Sequence, residues 1–216
     1  MFKLVTQQCV LLTQEFDLIP EARKEILNRL AAYIIVNSEQ QKPIQLMYVC
    51  THNSRRSHFG QLWAHVAADY FGISNVTTYS GGTEATAFNP NAIQALQEVG
   101  FEITAVDSTL PNPHYMVRFG EGKQTTCFSK VFDHAVNPTT DFAAIMTCSD
   151  AEANCPFIPG VALRLATTYD DPKAFDGTPL QAEKYLERST QIGRECLYVF
   201  SQVKSHLNQS QNHVSK

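Results

Sequence analysis

The stretch IQLMYVCTHNSRRSHFGQLWAHVAADY, residues 44–70, decides the fold because its hydrophobic period changes at one point. The apolar run over 44–49 is typical of a short buried strand. From Ser57 onward the apolar residues recur at helical spacing; they are Phe59, Leu62, Trp63, Val66, Ala67 and Tyr70. The segment CTHNSRRS, residues 50–57, is therefore predicted to be a loop that joins the end of a strand to the start of a helix.

The same two periods alternate along the rest of the chain. Further short apolar runs predict strands at 76–79, 143–147 and 161–165. Apolar stripes at helical spacing predict helices at 20–36, at 89–99 and from 178 to about 203. Strands that alternate with helices are typical of an α/β fold, so we expect a four-stranded parallel sheet flanked by helices.

Two segments stand outside this alternation. Residues 1–43 form an N-terminal helical extension, and residues 107–140 form an insertion. Within the insertion, HYMVRFGEGKQTTCFSKVF at 114–132 reads as two strands around a Gly-rich turn, which predicts a β-hairpin. No linker divides the chain, so residues 1–216 are expected to form a single domain.

The composition is that of an ordinary soluble globular protein, with 44% hydrophobic and 18% charged residues. A formal net charge of −4 argues against a nucleic-acid binder, and no apolar run is long enough to span a membrane. Six scattered cysteines in a chain of 216 residues indicate the reducing cytoplasm. The histidines lack metal-ligand spacing, so neither a metal nor a cofactor is expected.

The loop at 50–57 carries the pattern of an oxyanion site. Main-chain N–H groups between a strand and a helix curl into an anion-binding nest, and the helix N-terminus adds unpaired donors. Arg56 supplies a planar fork that matches two oxygens of a phosphate-like ion. A thiolate is favoured in such a field, which makes Cys50 the candidate nucleophile, with Ser57 to stabilise it. The candidate oxyanion-binding residues are Thr51, His52, Asn53, Ser54, Arg55 and Arg56. The alternative is a buried cysteine at a strand end beside a surface arginine.

Three other residues are candidates for chemistry. Asp171, before Pro172, follows the fourth strand and could reach back over the loop as a general acid; a plain turn is the alternative. Cys148 and Cys155 begin at the end of the third strand. They read as a redox pair, as two buried structural thiols, or as part of a metal site, although zinc pairs usually lie closer together.

Four segments together resemble a known family. VCTHNSRRS at 49–57 resembles the loop of the low-molecular-weight protein tyrosine phosphatases and of the thioredoxin-coupled arsenate reductases on the same fold. Three further segments are similar to the arsenate reductases in particular: YSGGTEATAFNPNAIQALQEVGFEI at 79–103, TCSDAEANCPFIPG at 147–160 and YDDP at 169–172. The resemblance covers residues 44–103 and 141–200.

The resemblance implies an arsenate reductase. In that mechanism Cys50 attacks arsenate, Cys148 attacks Cys50 with release of arsenite, and Cys155 moves the disulfide outward for reduction by thioredoxin. The expected partners are an arsenate- or phosphate-type oxyanion and thioredoxin, with no nucleic acid and no membrane.

Two alternatives remain open on the sequence. The first is a low-molecular-weight protein tyrosine phosphatase that works through a Cys50 phosphocysteine, and the second is a non-catalytic oxyanion-binding protein. Lys173 and Ala174 stand where such phosphatases usually carry an aromatic residue, which favours the reductase. His52 stands where the family normally has a small residue, so its side chain could narrow the anion site.

Overall fold

The computed structural model describes residues 1–154 and 157–214. Its α-helices are α1 (Lys3–Thr13), α2 (Glu21–Glu39), α3 (Arg56–Phe71), α4 (Pro90–Glu98), α5 (Ser149–Asn154) and α6 (Gln181–Val214). Its strands are β1 (Ile44–Cys50), β2 (Val76–Gly82), β3 (Glu102–Ala105), β4 (Tyr115–Gly120), β5 (Lys123–Cys127), β6 (Phe142–Met146) and β7 (Val161–Ala166). Short 3-10 turns occupy Phe16–Leu18 and Pro172–Phe175.

The central sheet has four parallel strands in the order β2-β1-β6-β7, which confirms the predicted fold class. Strand β1 lies in the middle, where its last residue, Cys50, pairs with Gly82 of β2. On the other side Val49 pairs with Met146 of β6. The carboxyl ends of β1, β2 and β6 therefore meet at one edge of the sheet, which is where parallel α/β folds place their ligand sites.

The two faces of the sheet are covered unequally. Side chains of β1 alternate between the faces, as strand geometry requires. Leu46 and Tyr48 point into a large core shared with α1, α2, α3, α4 and α6. Met47 and Val49 point into a smaller cluster that is closed by the short helix α5 and by Ile158. The thinner layer thus covers the face on which the predicted redox segment lies.

The two additions to the core are larger than the sequence pattern indicated. The predicted hairpin is formed by β4 and β5, and β3 joins it in an antiparallel sheet of order β3-β4-β5. The N-terminal extension contains α1 as well as α2, and α1 buries Val5, Cys9 and Leu12. Over residues 1–154 and 157–214, no helix is both long enough and apolar enough to cross a membrane.

Candidate functional site

The loop after β1 is fixed to the neighbouring strand by its main chain. The carbonyls of Cys50 and Thr51 accept hydrogen bonds from the N–H groups of Thr83 and Glu84, at 3.2 and 2.8 Å. Helix α3 begins at Arg56, so the N–H groups of its first turn lack partners within the helix. The loop and this helix start therefore lie together at the carboxyl edge of the sheet.

The Cys50 thiol is held by two buried polar residues of the loop. Its Sγ lies 3.1 Å from Ser57 Oγ, and Asn53 Nδ2 donates to that same oxygen at 2.8 Å. Because Asn53 supplies one proton to Ser57 Oγ, the hydroxyl proton of Ser57 is free to point at the sulfur. Asn53 adopts φ +43°, a left-handed conformation that asparagine tolerates better than most residues. The Ser57 hydroxyl is thus placed to donate a hydrogen bond to the Cys50 sulfur.

Arg56 connects the loop to the predicted acid loop. Its Nη2 lies 2.5 Å from Asp171 Oδ2, and its Nη1 donates to the carbonyl of Tyr169 at 2.7 Å. Asp171 also caps the following 3-10 turn, because its Oδ1 accepts from the N–H of Lys173 at 3.0 Å. The structure thus brings Asp171 to the arginine beside Cys50, across 115 residues of sequence.

Two loop side chains make contacts outside the loop. His52 is half-exposed, with its Nε2 3.8 Å from Glu84 Oε2. Arg55 donates from Nε to the hydroxyl of Tyr185 at 2.7 Å and lies 3.6 Å from Asp176. Any contribution of these two residues to oxyanion binding would come from their main-chain N–H groups.

Cys148 lies beside the loop on the thinly covered face of the sheet. Val49 pairs with Met146, and two steps further along the same register Thr51 stands beside Cys148. Thr51 Oγ1 is 3.4 Å from Cys148 Sγ, and both Cys50 and Cys148 belong to the smaller buried cluster. The N–H of Ala151 points at Cys148 Sγ from 3.3 Å, where it would stabilise negative charge on the sulfur. Cys155 lies outside the described residues.

The sequence did not predict that the insertion supports the loop at 50–57 through hydrogen bonds, which we call the brace. The segment after β5 runs alongside residues 52–53, where Ser129 Oγ donates to the carbonyl of His52 at 2.9 Å. The N–H of Lys130 donates to Asn53 Oδ1 at 2.9 Å. Ser129 and Lys130 are both buried. A short polar pair after a strand carries no sequence signal for such a role, because the contact spans 77 residues.

Lys130 also places a buried amine behind the loop. Burial lowers the pKa of its ammonium to about 8. Its Nζ lies 4.7 Å from the centre of the Phe128 ring, a cation–π contact. Burial also lowers the pKa of His58 well below its usual value, and the nearby Lys130 adds to that shift. His58 is therefore a neutral residue in the first turn of α3, stacked on Phe88 at 4.0 Å.

Gly82 leaves no space for a side chain under the loop. A Cβ at this position would lie 2.6 Å from the Thr51 carbonyl oxygen and 2.7 Å from the Asn53 nitrogen. Both are main-chain atoms, so a substituted residue would displace the loop itself. The Gly81-Gly82 pair at the end of β2 is thus a signal that sequence reasoning could have used.

A cleft opens beside Arg56 and Asp171. Its volume is about 660 Å³, much more than a tetrahedral anion fills. The 3-10 turn after the acid brings Phe175, the residue directly after the Lys173-Ala174 pair noted in the sequence, to the cleft wall. An aromatic residue therefore lines the approach to the acid, although it does not follow the acid directly.

Known proteins were compared with the chain. No family model matches it. An arsenate reductase of Bacillus subtilis is 29% identical over 143 residues, which cover 66% of this chain and 84% of the relative. An arsenate reductase 2 of Staphylococcus epidermidis is 30% identical over 128 residues, 59% of this chain and 77% of the relative. A solved arsenate reductase in the phosphate-binding state gives a TM-score of 0.50 at 19% identity, over 74% of this chain and 98% of that one.

Proposed function

The chain belongs to the family of arsenate reductases built on the low-molecular-weight phosphatase fold, and from that premise we propose that it reduces arsenate with Cys50 as nucleophile and Cys148 and Cys155 as redox thiols. One observation carries the proposal. Cys148 Sγ lies 3.4 Å from the hydroxyl of Thr51, the residue next to Cys50, in the same buried cluster. A phosphatase needs only the first thiol, whereas a reductase needs a second one within reach of it.

The first step forms a bond between Cys50 Sγ and arsenic. The thiolate attacks arsenate, and one arsenate hydroxyl takes a proton from Asp171 and leaves as water. Arg56 binds the oxyanion with its planar fork, and the main chain of Thr51, His52, Asn53, Ser54 and Arg55 lines the remaining oxygens. Ser57 stabilises the thiolate through the 3.1 Å contact between Oγ and Sγ.

The second step transfers two electrons. Cys148 attacks Cys50 Sγ, an S–S bond forms, and the electron pair of the S–As bond leaves with arsenic as arsenite. Cys155 then attacks Cys148, which frees Cys50 and leaves a Cys148–Cys155 disulfide. Thioredoxin, a dithiol partner, takes over that disulfide by exchange. Because this regeneration needs a reducing compartment, the proposal includes a cytoplasmic location.

The final disulfide requires a change in α5. The two Cα atoms of a disulfide lie within about 7 Å, but the six helical residues of Ser149–Asn154 rise about 9 Å. We therefore expect helix α5 to unwind, at least in part, when Cys148 pairs with Cys155. Arg164 of β7 holds the helix to the sheet by side-chain hydrogen bonds, because its Nη2 donates to the carbonyl and to Oε2 of Glu152, both at 2.9 Å.

The experiment supplies the full chain with arsenate, thioredoxin, thioredoxin reductase and NADPH, and follows NADPH oxidation. A parallel assay supplies an aryl phosphate and follows hydrolysis. Cys148→Ala should abolish arsenate reduction, while Cys9→Ala, which removes a buried thiol on α1 far from the loop, should leave it intact. Wild type that never oxidises NADPH with arsenate would contradict the reductase.

A phosphatase is the second candidate, and one observation favours it. The cleft of about 660 Å³ beside Arg56 and Asp171 has Phe175 on its wall, so it could receive the ring of an aryl phosphate. This activity would use Cys50, Arg56 and Asp171 without either redox thiol. Aryl phosphate hydrolysis that survives in Cys148→Ala, together with no arsenate turnover in wild type, would replace the reductase with this function.

A further inference from the structure

Tyr169, two residues before the proposed acid, is held at three points. Its N–H donates to the Thr147 carbonyl at 3.1 Å, which extends the pairing of β6 and β7. Its own carbonyl accepts from Arg56 Nη1 at 2.7 Å. Its hydroxyl donates to Oε2 of Glu195, on α6, at 2.7 Å. The position of Tyr169 therefore sets both the guanidinium of Arg56 and the start of the loop that carries Asp171.

The carboxylate that accepts the hydrogen bond from the Tyr169 hydroxyl is itself buried. Glu195 is 4% exposed, and a buried carboxylate is costly unless a cation pairs with it. That cation is Arg23 of α2, whose Nε lies 3.1 Å from the Glu195 carboxylate. Burial, followed by the neighbouring Glu195, raises the pKa of Tyr169 well above its usual value, so its hydroxyl remains a donor.

Arg23 also contacts the acid loop directly. Its Nη2 donates to the carbonyl of Thr168 at 2.8 Å, and its guanidinium carbon lies 4.8 Å from the centre of the Tyr169 ring. One side chain thus touches the residue before Tyr169, the ring of Tyr169 and the carboxylate that holds its hydroxyl. Arg23 lies in the N-terminal extension, outside the residues that carry the family resemblance.

We propose that Arg23 is a positioning residue for the oxyanion site, and that the N-terminal extension sets the geometry of Arg56 and Asp171 through Thr168, Tyr169 and Glu195. The inference rests on the proposed function of Arg56 and Asp171. The inference extends the site to the N-terminal extension, which supplies none of the reacting groups of the proposed reaction. Arg56 reaches an anion in the right orientation only while Tyr169 presents its carbonyl at the observed place.

The test measures how well inorganic phosphate protects Cys50 from alkylation, as an apparent dissociation constant. Arg23→Met is compared with Arg29→Met, the same substitution at an exposed position of the same helix. Each protein is assayed at a temperature well below its own Tm, so that only folded molecules are compared. We expect the apparent dissociation constant for phosphate to be about tenfold larger in Arg23→Met, the loss of affinity typical of one charge-assisted hydrogen bond. It should be unchanged in Arg29→Met.

Arg23→Lys separates positioning from stabilisation. A lysine can pair with Glu195 but lacks the fork that also bonds the Thr168 carbonyl. We expect this variant to have the Tm of wild type, while its apparent dissociation constant for phosphate stays several-fold larger than that of wild type. A merely stabilising role predicts that Tm and phosphate constant recover together, and that outcome overturns the inference.

Two further outcomes are decisive. If Arg23→Met does not fold, Tyr169→Phe takes its place, because it removes only the hydroxyl bond to Glu195; an unchanged phosphate constant in this variant overturns the inference. Folded Arg23→Met that binds phosphate as well as Arg29→Met overturns it too. Wild type that phosphate does not protect is a different failure: it contradicts the proposed oxyanion site and removes the inference with it.

Discussion

The guanidinium of Arg56 and the carboxylate of Asp171 face each other, with Nη2 2.5 Å from Oδ2. In the proposed reaction both groups act on the same oxyanion, the first as its binder and the second, once protonated, as its proton donor. The acid is therefore already paired with the group that an incoming anion must recruit. Binding of an anion at Arg56 and release of Asp171 toward the leaving oxygen become one coupled event.

This pairing predicts opposite effects of Asp171→Asn on binding and on turnover. Removal of the carboxylate frees the guanidinium, so phosphate should bind severalfold more tightly, whereas loss of the general acid should lower kcat by about 100-fold. Inhibition constants for phosphate and kcat for the preferred substrate measure the two effects. Asp170→Asn is the matched control, because the Asp170 carboxylate is exposed and lies 3.6 Å from Arg188 instead. Unchanged turnover in Asp171→Asn would remove the acid from the mechanism.

The cysteines are predicted to differ sharply in reactivity. Burial raises the pKa of Cys9, Cys127 and Cys196 to about 12, so these thiols should resist alkylation while the protein is folded. Cys50, whose sulfur lies 3.1 Å from Ser57 Oγ at the start of α3, should be labelled first, and phosphate should protect it. Peptide mapping by mass spectrometry identifies the labelled residue. Another cysteine labelled first, without phosphate protection, would show that the site is misassigned.

Single serine substitutions should stop the proposed cascade at different stages. Cys148→Ser should halt after the first adduct with arsenate. Cys155→Ser should stall after one turnover as a Cys50–Cys148 disulfide, which non-reducing peptide mapping can detect directly. Cys9→Ala controls for removal of a thiol. Reduction of arsenate at the wild-type rate by both serine variants would refute the cascade.

Oxidation should also unwind α5. Amides of residues 149–154 should exchange with deuterium faster in the protein oxidised by one turnover than in the reduced protein, because the proposed Cys148–Cys155 bond would draw together the chain on either side of this helix. Helix α4, Pro90–Glu98, serves as an internal control, since no step of the cascade involves it. Equal exchange of 149–154 in both states would argue that the second disulfide does not form.

Lys130 predicts a pH dependence of stability. Burial lowers its pKa from 10.5 to about 8, so above pH 8 the folded chain has released a proton that the unfolded chain still holds. Stability from this group therefore rises with pH between about 8 and 10.5. Lys130→Met should have a larger free energy of unfolding than wild type at pH 7, and the excess should shrink by about 1.4 kcal/mol per pH unit above 8.

Urea denaturation of both proteins from pH 7 to pH 9.5 measures that difference. Only the difference is informative, because the buried thiols titrate in both proteins. In Lys42→Met, a substitution at an exposed position, the free energy of unfolding should differ from that of wild type by the same amount at every pH in this range. A Lys130→Met excess that does not change with pH would mean that Lys130 is not a desolvated ammonium.

The core of the fold, the β4-β5 hairpin and helix α2 followed from local patterns, whereas α1, β3 and α5 did not. Strand β1 and helix α3 were predictable because the period of apolar residues changes at Cys50–Ser57 within one continuous segment. Strand β3, Glu102–Ala105, has little periodicity of its own and exists because it pairs with β4. Helix α5 lies in a polar stretch that reads as a loop, and its packing against the sheet supplies what its composition lacks.

The same contrast holds for the site. Cys50, Arg56 and Ser57 lie within one short segment, so sequence alone could group them. The pairing of Arg55 with Tyr185 spans 130 residues, and no local pattern predicts that its charge turns toward α6. Phe175 reaches the cleft only because Pro172 and the capping carboxylate of Asp171 start a 3-10 turn.

The brace that Ser129 and Lys130 provide bears on how this chain could be shortened or recombined. Excising 107–140 to approach the length of its relatives would remove the donor to the Asn53 side chain and one hydroxyl from the His52 carbonyl. The side chain of Asn53, whose backbone is left-handed, would then keep only its bond to Ser57 Oγ, although no catalytic atom had been altered. A chimaera that borrows this oxyanion loop must therefore transplant two distant pieces of chain together, because neither is a self-sufficient module.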